Sequence, residues 1–357
     1  MIGEMKILEN GNLRIVTEEH GTTTLTRWKI QPLGLSELEK FHSQCSVDII
    51  FTDLSVLEDG KITQIKIKAN IPNDLKGYCL VKGGWLPPGF GMLKSTVISD
   101  RNFVTKLVTA FQNNKPRIKA LEGWFDDLSS FGFTIDILQY AMEGNKKDFP
   151  TFDEVCSQVV EAVDKIKHSI PSVIIEEYTG TTIQDYAWKL LEYLKPTIVK
   201  RKAFLTDAAP SIKTSKDTTI IKDRWNSIIS AARAHSLPTS DISVILALLT
   251  VSGPQKNSPG LGVFKIAHPY PQELAYNACF DISLLELFIN FQRIYPHKNY
   301  VIATADVAFA RLGAILNDLT HESSDGEKTK LSTSIPPELL LNGSIELYEE
   351  FKKLTSR

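Results

Sequence analysis

The chain lacks the residues on which several common chemistries depend. Its four cysteines, Cys45, Cys79, Cys156 and Cys279, lie far apart and form no C-x-x-C pair. That spacing argues against a zinc site and a disulfide framework, leaving reduced thiols. Seven histidines are scattered without an H-E-x-x-H pair, so zinc hydrolysis is disfavoured. There is no G-x-S-x-G elbow and no Walker loop. Gly83-Gly84 and Ser258-Pro-Gly-Leu-Gly262 are glycine loops without the spacing of a nucleotide site. No run approaches the ~20 apolar residues of a membrane span, and the acid-bearing start, Met1 to Asn10, does not read as a secretory signal. A cytoplasmic location with no membrane contact is therefore expected. Neither sign of charge dominates, since 40 basic and 42 acidic residues give a net charge of -2. Any nucleic-acid contact must come from a local basic patch.

What is present is a chain of 357 residues, 43% hydrophobic, enough to bury the core of two domains or one large one. Residues 1–94 read as β-rich. Leu13 to Val16, Thr22 to Ile30 and Ile62 to Lys68 alternate apolar and polar side chains, with turn signals at Asn10-Gly11 and Asp59-Gly60. One short helix is expected over Leu35 to His42, capped by Ser36. Gly83-Gly-Trp-Leu-Pro-Pro-Gly-Phe-Gly91 is a punctuated loop and the expected boundary. A buried strand follows at Ser95 to Ser99. Helical periodicity then runs through Phe103 to Phe111, Phe152 to Ile166, Thr182 to Leu194, Ile220 to Ala234 and Ser240 to Leu249. Pro210 to Thr219 reads as a loop. Residues 321–357 read as a polar loop and a final helix near Pro337 to Leu354. The expected fold is α/β: a parallel sheet flanked by helices over 95–320, with a helical insertion around 150–250, behind the β-rich region.

Four acids draw attention because of where they fall. Asp100 ends one apolar strand, and Asp306 ends another, Tyr300-Val-Ile-Ala-Thr-Ala-Asp306. The carboxyl ends of strands are where open α/β sheets hold ligands. Asp281 is read as opening a helix over Ile282 to Phe291, and Glu143 as closing a helix that Gly144 stops. Each has a plainer role: Asp100, Asp281 and Asp306 as helix caps, Glu143 as a surface residue. Gathered together, such carboxylates would repel one another, and a Mg²⁺ or Mn²⁺ ion removes that repulsion. An ion so held can activate water and stabilise charge on a phosphoryl oxygen. Asn102, Asn277 and Thr304 are candidate site neighbours. Arg101, Lys146, Lys147, Lys200, Arg201 and Lys202 are candidate phosphate contacts, although a solvated face is the default for such a run. Trp124, Trp188 and Trp225 read as core.

Val97-Ile-Ser-Asp100-Arg-Asn102 resembles the opening strand of the PIN-like nuclease domain, with its first catalytic Asp and a nearby Asn. Val301-Ile-Ala-Thr304-Ala-Asp306 and the following Val-Ala-Phe-Ala-Arg-Leu312 are similar to its closing strand and helix. Asp281 falls where the family places its third acid, and Met142-Glu143-Gly-Asn is similar to a Glu-Gly stretch of larger bacterial PIN-like proteins. The resemblance spans residues 95 to about 318. It implies a metal-dependent nuclease, on RNA in preference to DNA, with Asp100, Glu143, Asp281 and Asp306 as catalytic and metal-binding residues. It further implies a toxin or defence effector with a protein partner such as an antitoxin. The chain departs from the pattern at Arg101, which puts a cation where a small residue is usual. That departure favours the alternative, a catalytically inactive module that binds nucleic acid or a protein.

Overall fold

Alternation of apolar and polar side chains builds an antiparallel sheet at the N-terminus. The computed structural model describes residues 4–8, 12–17, 21–56, 62–70, 76–121, 128–143, 148–253, 258–316, 320–324, 328–332, 340 and 344–355. Strands β1 (Glu4–Ile7), β2 (Leu13–Thr17), β3 (Gly21–Ile30), β4 (Ser46–Val56) and β5 (Ile65–Asn70) pair in chain order. Leu13, Ile15, Leu25, Ile49, Phe51, Ile65 and Ile67 are buried, the period-two face that such a sheet turns to its core. Helix α1 (Leu35–Gln44) packs on β4 through Leu38 and Phe41. Its N-cap is Gly34 rather than the expected Ser36, and no side chain caps it.

The second sheet has six strands in the order β12-β11-β8-β13-β6-β7. They are β6 (Tyr78–Val81), β7 (Gly84–Leu86), β8 (Thr96–Ser99), β11 (Thr134–Asp136), β12 (Ile174–Ile175) and β13 (Tyr300–Thr304). The first four in that order run parallel, while β6 is antiparallel to β13 and β7 to β6. The sheet is therefore mixed, where the sequence pointed to a parallel one. The cause is the stretch 83–91, expected to be a boundary loop. Its glycines instead turn a hairpin between β6 and β7, and its prolines start a short helix α2 (Pro88–Gly91). Gly84 has φ +152 and lies so close to Leu33 that a Cβ would sit 2.3 Å from the Leu33 carbonyl oxygen. Only glycine fits there. Residues on the N-terminal side of that stretch thus complete the second sheet.

Helices supply the crossovers that parallel strands need. Helix α3 (Arg101–Ala110) and the small hairpin of β9 (Phe111–Gln112) and β10 (Lys115–Pro116) follow β8. Helices α4 (Leu138–Glu143) and α5 (Phe152–Ser169) join β11 to β12. From β12 to β13 run α6 (Ile183–Ala208), α7 (Thr218–Ala234), α8 (Ile242–Ser252), α9 (Pro259–Phe264) and α10 (Gln272–Ile294), the helical region expected from periodicity. Their starts follow the side-chain rule for caps: Thr151 forms a capping box with Glu154, and Thr182, Asp217 and Asp241 cap α6, α7 and α8. Helix α10 is long and apolar enough to cross a membrane by length and composition, yet most of it is buried in the core. After β13 come α11 (Val307–Leu316), a hairpin β14 (Thr320–Ser324) and β15 (Lys328–Ser332) within the stretch expected to be a polar loop, and α12 (Ile345–Thr355).

Candidate active site

Strands β8 and β13 lie side by side, Val97 opposite Val301 and Ser99 opposite Ala303. Both are wholly buried, which is why their sequences are apolar until they end. Polar residues begin where the sheet stops. Asp100 caps α3, its Oδ1 accepting from the Phe103 N–H. Asp306 caps α11, its Oδ1 accepting from Ala308 N–H at 2.7 Å and Phe309 N–H at 3.1 Å. Thr304, fully buried, ties the two together: its hydroxyl donates to Asp100 Oδ2 at 2.6 Å and accepts from the Asp306 N–H at 3.0 Å. Both acids are therefore helix caps, tied together through one hydroxyl.

Asp281 does not open a helix. Helix α10 begins at Gln272 after Pro271, more than two turns earlier, so Asp281 sits in mid-helix, where a carboxylate caps nothing. Leu274, Asn277 and Asp281 are its partly buried positions in that stretch, on the side that is not sealed into the core, and Asn277 shares the Asp281 face at i and i+4. Glu143 ends α4, and its Oε2 is buried with no hydrogen-bond partner among the described residues.

The four carboxyl groups sense one another. Burial lifts Asp100 to about 6, with the Asp306 charge adding to it, while the Thr304 and Phe103 hydrogen bonds oppose it. Burial lifts Glu143 to about 7; Asp100 adds to this, and the Arg101 guanidinium and main-chain N–H pull it down. Asp281 is held well above the usual carboxylate range, first by burial and then by the charges of Asp306, Glu143 and Asp100, against Lys265. Charges of acids from separate elements thus reach one another near the carboxyl edge of β8 and β13.

They do not form a closed ligand shell. Among the described residues, no three His, Cys, Asp or Glu side chains are grouped tightly enough to hold a metal ion. The oxygens left open are nevertheless of one kind. Asp281 accepts no hydrogen bond among the described residues, Glu143 Oε2 is orphaned and buried, and Asp306 Oδ2 faces only Lys265 Nζ at 3.9 Å. Hard carboxylate oxygens, one of them unsatisfied, suit Mg²⁺ or Mn²⁺ with waters completing the coordination.

Cations surround the acids. Arg101 donates to Gln158 Oε1 at 2.7 Å and lies over the Tyr140 ring. Lys202 sits over the Tyr276 ring and 4.0 Å from Asp148. Lys265, in a left-handed turn that ends α9, reaches Asp306. The approach of α9 to α11 depends on Gly262, where a Cβ would lie 2.4 Å from that of Ala308. Sequence reasoning passed over Lys265, because nothing in a short Pro-Gly-Leu-Gly helix announces its end. It also passed over Tyr276, whose buried hydroxyl lacks a hydrogen-bond partner among the described residues and whose ionisation is opposed first by burial, then by the Asp148 and Glu143 charges.

Other expected contacts fall elsewhere. Arg201 is a correction: its side chain is 1% exposed, bound to Asp241, Glu286 and Ser283, and is not available to a phosphate backbone. The run Lys200-Arg201-Lys202 lies on α6, and about 100° of rotation per residue points its members in different directions. Lys200 is exposed. Asn102 is exposed in the first turn of α3 and makes no hydrogen bond to the acids. Lys146, Lys147, Glu122 and Trp124 lie outside the described residues. Asp136 also ends a strand, but its oxygens accept from Tyr178 Oη and Leu138 N–H, and its charged neighbours are Glu176 and Lys298, not the four acids.

The fold and site together define an α/β protein with a mixed sheet whose parallel core carries an acid cluster at its carboxyl edge. Comparison with known proteins found no matching family model, no matching curated protein and no matching solved structure.

Proposed function

We propose that this chain is a metal-dependent endonuclease of PIN-like type, cutting phosphodiester bonds in RNA in preference to DNA. The observation that carries the reading is the placement of Asp100 and Asp306 at the ends of neighbouring strands, joined through the Thr304 hydroxyl, with Glu143 and Asp281 raised in proton affinity by burial and by the charge of these acids. Folding retains such crowding at a cost in stability, and a divalent cation is its natural counterion. Asp281, Glu143 and Asp306 offer the open oxygens. Asp100, held by Thr304 and the Phe103 N–H, adds buried negative charge and fixes the position of Thr304. A bound ion would activate water and offset charge on the phosphoryl oxygen. Lys265, 3.9 Å from Asp306, is the cation that would meet a substrate phosphate beside the acids. The preference for RNA rests on the resemblance of Val97 to Asn102 and Val301 to Leu312 to the PIN-like family, since attack at phosphorus needs no 2′-hydroxyl.

The test is cleavage of labelled single-stranded RNA and DNA of one sequence, with Mg²⁺ or Mn²⁺ and with chelator, by the parent, Asp281→Asn and Asp306→Asn. Each variant is expected to lose at least about 100-fold in rate, the scale of removing a group that stabilises developing charge. Cleavage that survives chelator, or survives in both variants, defeats the proposal. One observation favours a second reading, an inactive binding module: Arg101 beside Glu143 and Lys265 beside Asp306 already neutralise part of the acid charge. Tight RNA or protein binding without cleavage under any metal supports that reading.

A further inference from the structure

A concavity of about 610 Å³ lies between the N-terminal sheet and the second sheet. Its charge is unlike that of the acid site. Arg27, Lys29, Lys82 and Lys94 line it beside Trp28, and no Asp or Glu is among its described lining residues. In a chain of net charge -2 this is a local concentration of positive charge. Lys29 is partly neutralised by Asp53 at 2.6 Å.

Two irregularities of the backbone build the groove. A regular strand sends successive side chains to opposite faces, yet Arg27, Trp28 and Lys29 all line this one cavity. The pairing of β3 with β4 shifts register between Leu25 and Arg27 and again between Arg27 and Lys29. Such bulges re-aim side chains and recur next to functional sites. Across the groove, Lys94 adopts φ 49, a left-handed conformation that is costly for a residue with a Cβ, and its ammonium lies 5.0 Å from the Trp28 ring centre. Irregular backbone on both walls brings cations around one aromatic ring.

We propose that this groove binds single-stranded nucleic acid, its cations on the phosphates and Trp28 as the surface for a base. Positive grooves that carry an aromatic side chain suit single strands of any sequence. The choice of nucleic acid over another polyanion rests on the nuclease reading. Lys94 and Asn299 precede β8 and β13, whereas the acids follow them, so the groove lies at the opposite edge of the sheet, roughly 20 Å away at about 3.3 Å per strand residue. It anchors a strand at a distance from the bond being cut, and short substrates do not need it.

The experiment measures anisotropy of a short fluorescent single-stranded RNA with the full chain in chelator, over a salt series. Arg27, Lys82 and Lys94 are exposed, so Arg27→Glu/Lys82→Glu and Lys94→Ala are expected to keep the parent's melting temperature. The double variant is expected to bind at least about 10-fold more weakly, with the salt slope reduced by about 1.4, the loss of two single-strand phosphate contacts. Lys94→Ala is expected to weaken binding in the same direction. Unchanged affinity in both variants overturns the proposal, and so does equal binding of duplex DNA or of inorganic polyphosphate. Failure is separable from that of the nuclease reading. Cleavage of a short RNA without groove-dependent binding removes the groove alone. Groove-dependent binding without metal-dependent cleavage supports the groove and removes the nuclease.

Discussion

Glu143→Gln tests whether the acid cluster is held against its own repulsion. The side chain ends α4 with one oxygen buried and unpartnered among the described residues, and burial with the Asp100 charge lifts it from 4.5 to about 7. The folded state therefore holds a proton that the unfolded state releases between those values. Its contribution to stability is full below about 4.5 and is lost as pH rises through about 7. The difference amounts to about 3 kcal/mol at 1.36 kcal/mol per tenfold in proton affinity, and partial solvent contact reduces it to about 2 kcal/mol. Glutamine keeps the shape and cannot ionise. In chelator at pH 8 the variant is expected to be more stable than the parent by that amount. For 357 residues this is about 3 °C in melting temperature, from an unfolding entropy of ~2.1 cal/mol/K per residue. At pH 4.5 the two should melt together. Added Mn²⁺ should raise the parent's melting temperature more than the variant's, because it relieves a repulsion the variant has already lost. Thermal unfolding across that pH range reads all three. A variant no more stable than the parent at pH 8 in chelator would refute the account of the cluster.

Two further outcomes follow from the same geometry. Thr304→Val removes the hydroxyl that donates to Asp100, so Asp100 should rise above about 6 and the acid limb of the cleavage pH profile should move to higher pH. Thr304→Ser should restore the profile, and an unmoved limb in the valine variant contradicts the role given to this bond. Arg201→Gln leaves the buried Asp241 and the half-buried Glu286 without their shared cation. It should cost about 3–5 kcal/mol in urea unfolding, whereas Lys200→Ala on the adjacent exposed position should be near neutral.

Much of this arrangement could be read from the residue pattern, and the misses have physical causes. Asp100 and Asp306 were legible because an apolar strand that is buried on both faces tolerates a carboxylate only where it ends. Thr304 was legible as their neighbour for the same reason. The start of α10 was not, because Ala275-Tyr-Asn-Ala-Cys-Phe-Asp281 is apolar nearly all round, as a buried helix is, and gives no periodic signal of where it begins. The second sheet was misjudged as parallel because Gly83 and Gly84 were read as breaking structure, when their dihedral freedom closes a hairpin. Arg201 illustrates a limit of composition: three consecutive cations look like one patch, but a helix distributes them around its axis. Lys265 and the basic groove depend on tertiary approach, α9 onto α11 and one sheet onto another, and no local pattern encodes either.

Helix α1 and the segment before it tie the N-terminal region to the second sheet and α11 by specific bonds, which limits how independently the two can behave. On α1, Glu39 accepts from Arg311 of α11 at both oxygens, 2.5 and 2.8 Å. His42 Nδ1 pairs with Tyr78 Oη at 2.8 Å, and Trp85 Nε1 donates to the Gly34 carbonyl at 2.8 Å. Leu33 and Trp85 exchange main-chain bonds across the two units. Arg311 is held in its charged form first by the Glu39 hydrogen bond, with the Asp306 charge contributing as well. The helix whose first turn is capped by Asp306 is thus braced one turn later by a residue of the N-terminal region. Bidentate pairs of this kind fix orientation as well as distance. The direction in which Asp306 faces Asp281 and Lys265 is consequently set from both sides: by Thr304 beneath it, and by Glu39 acting through α11.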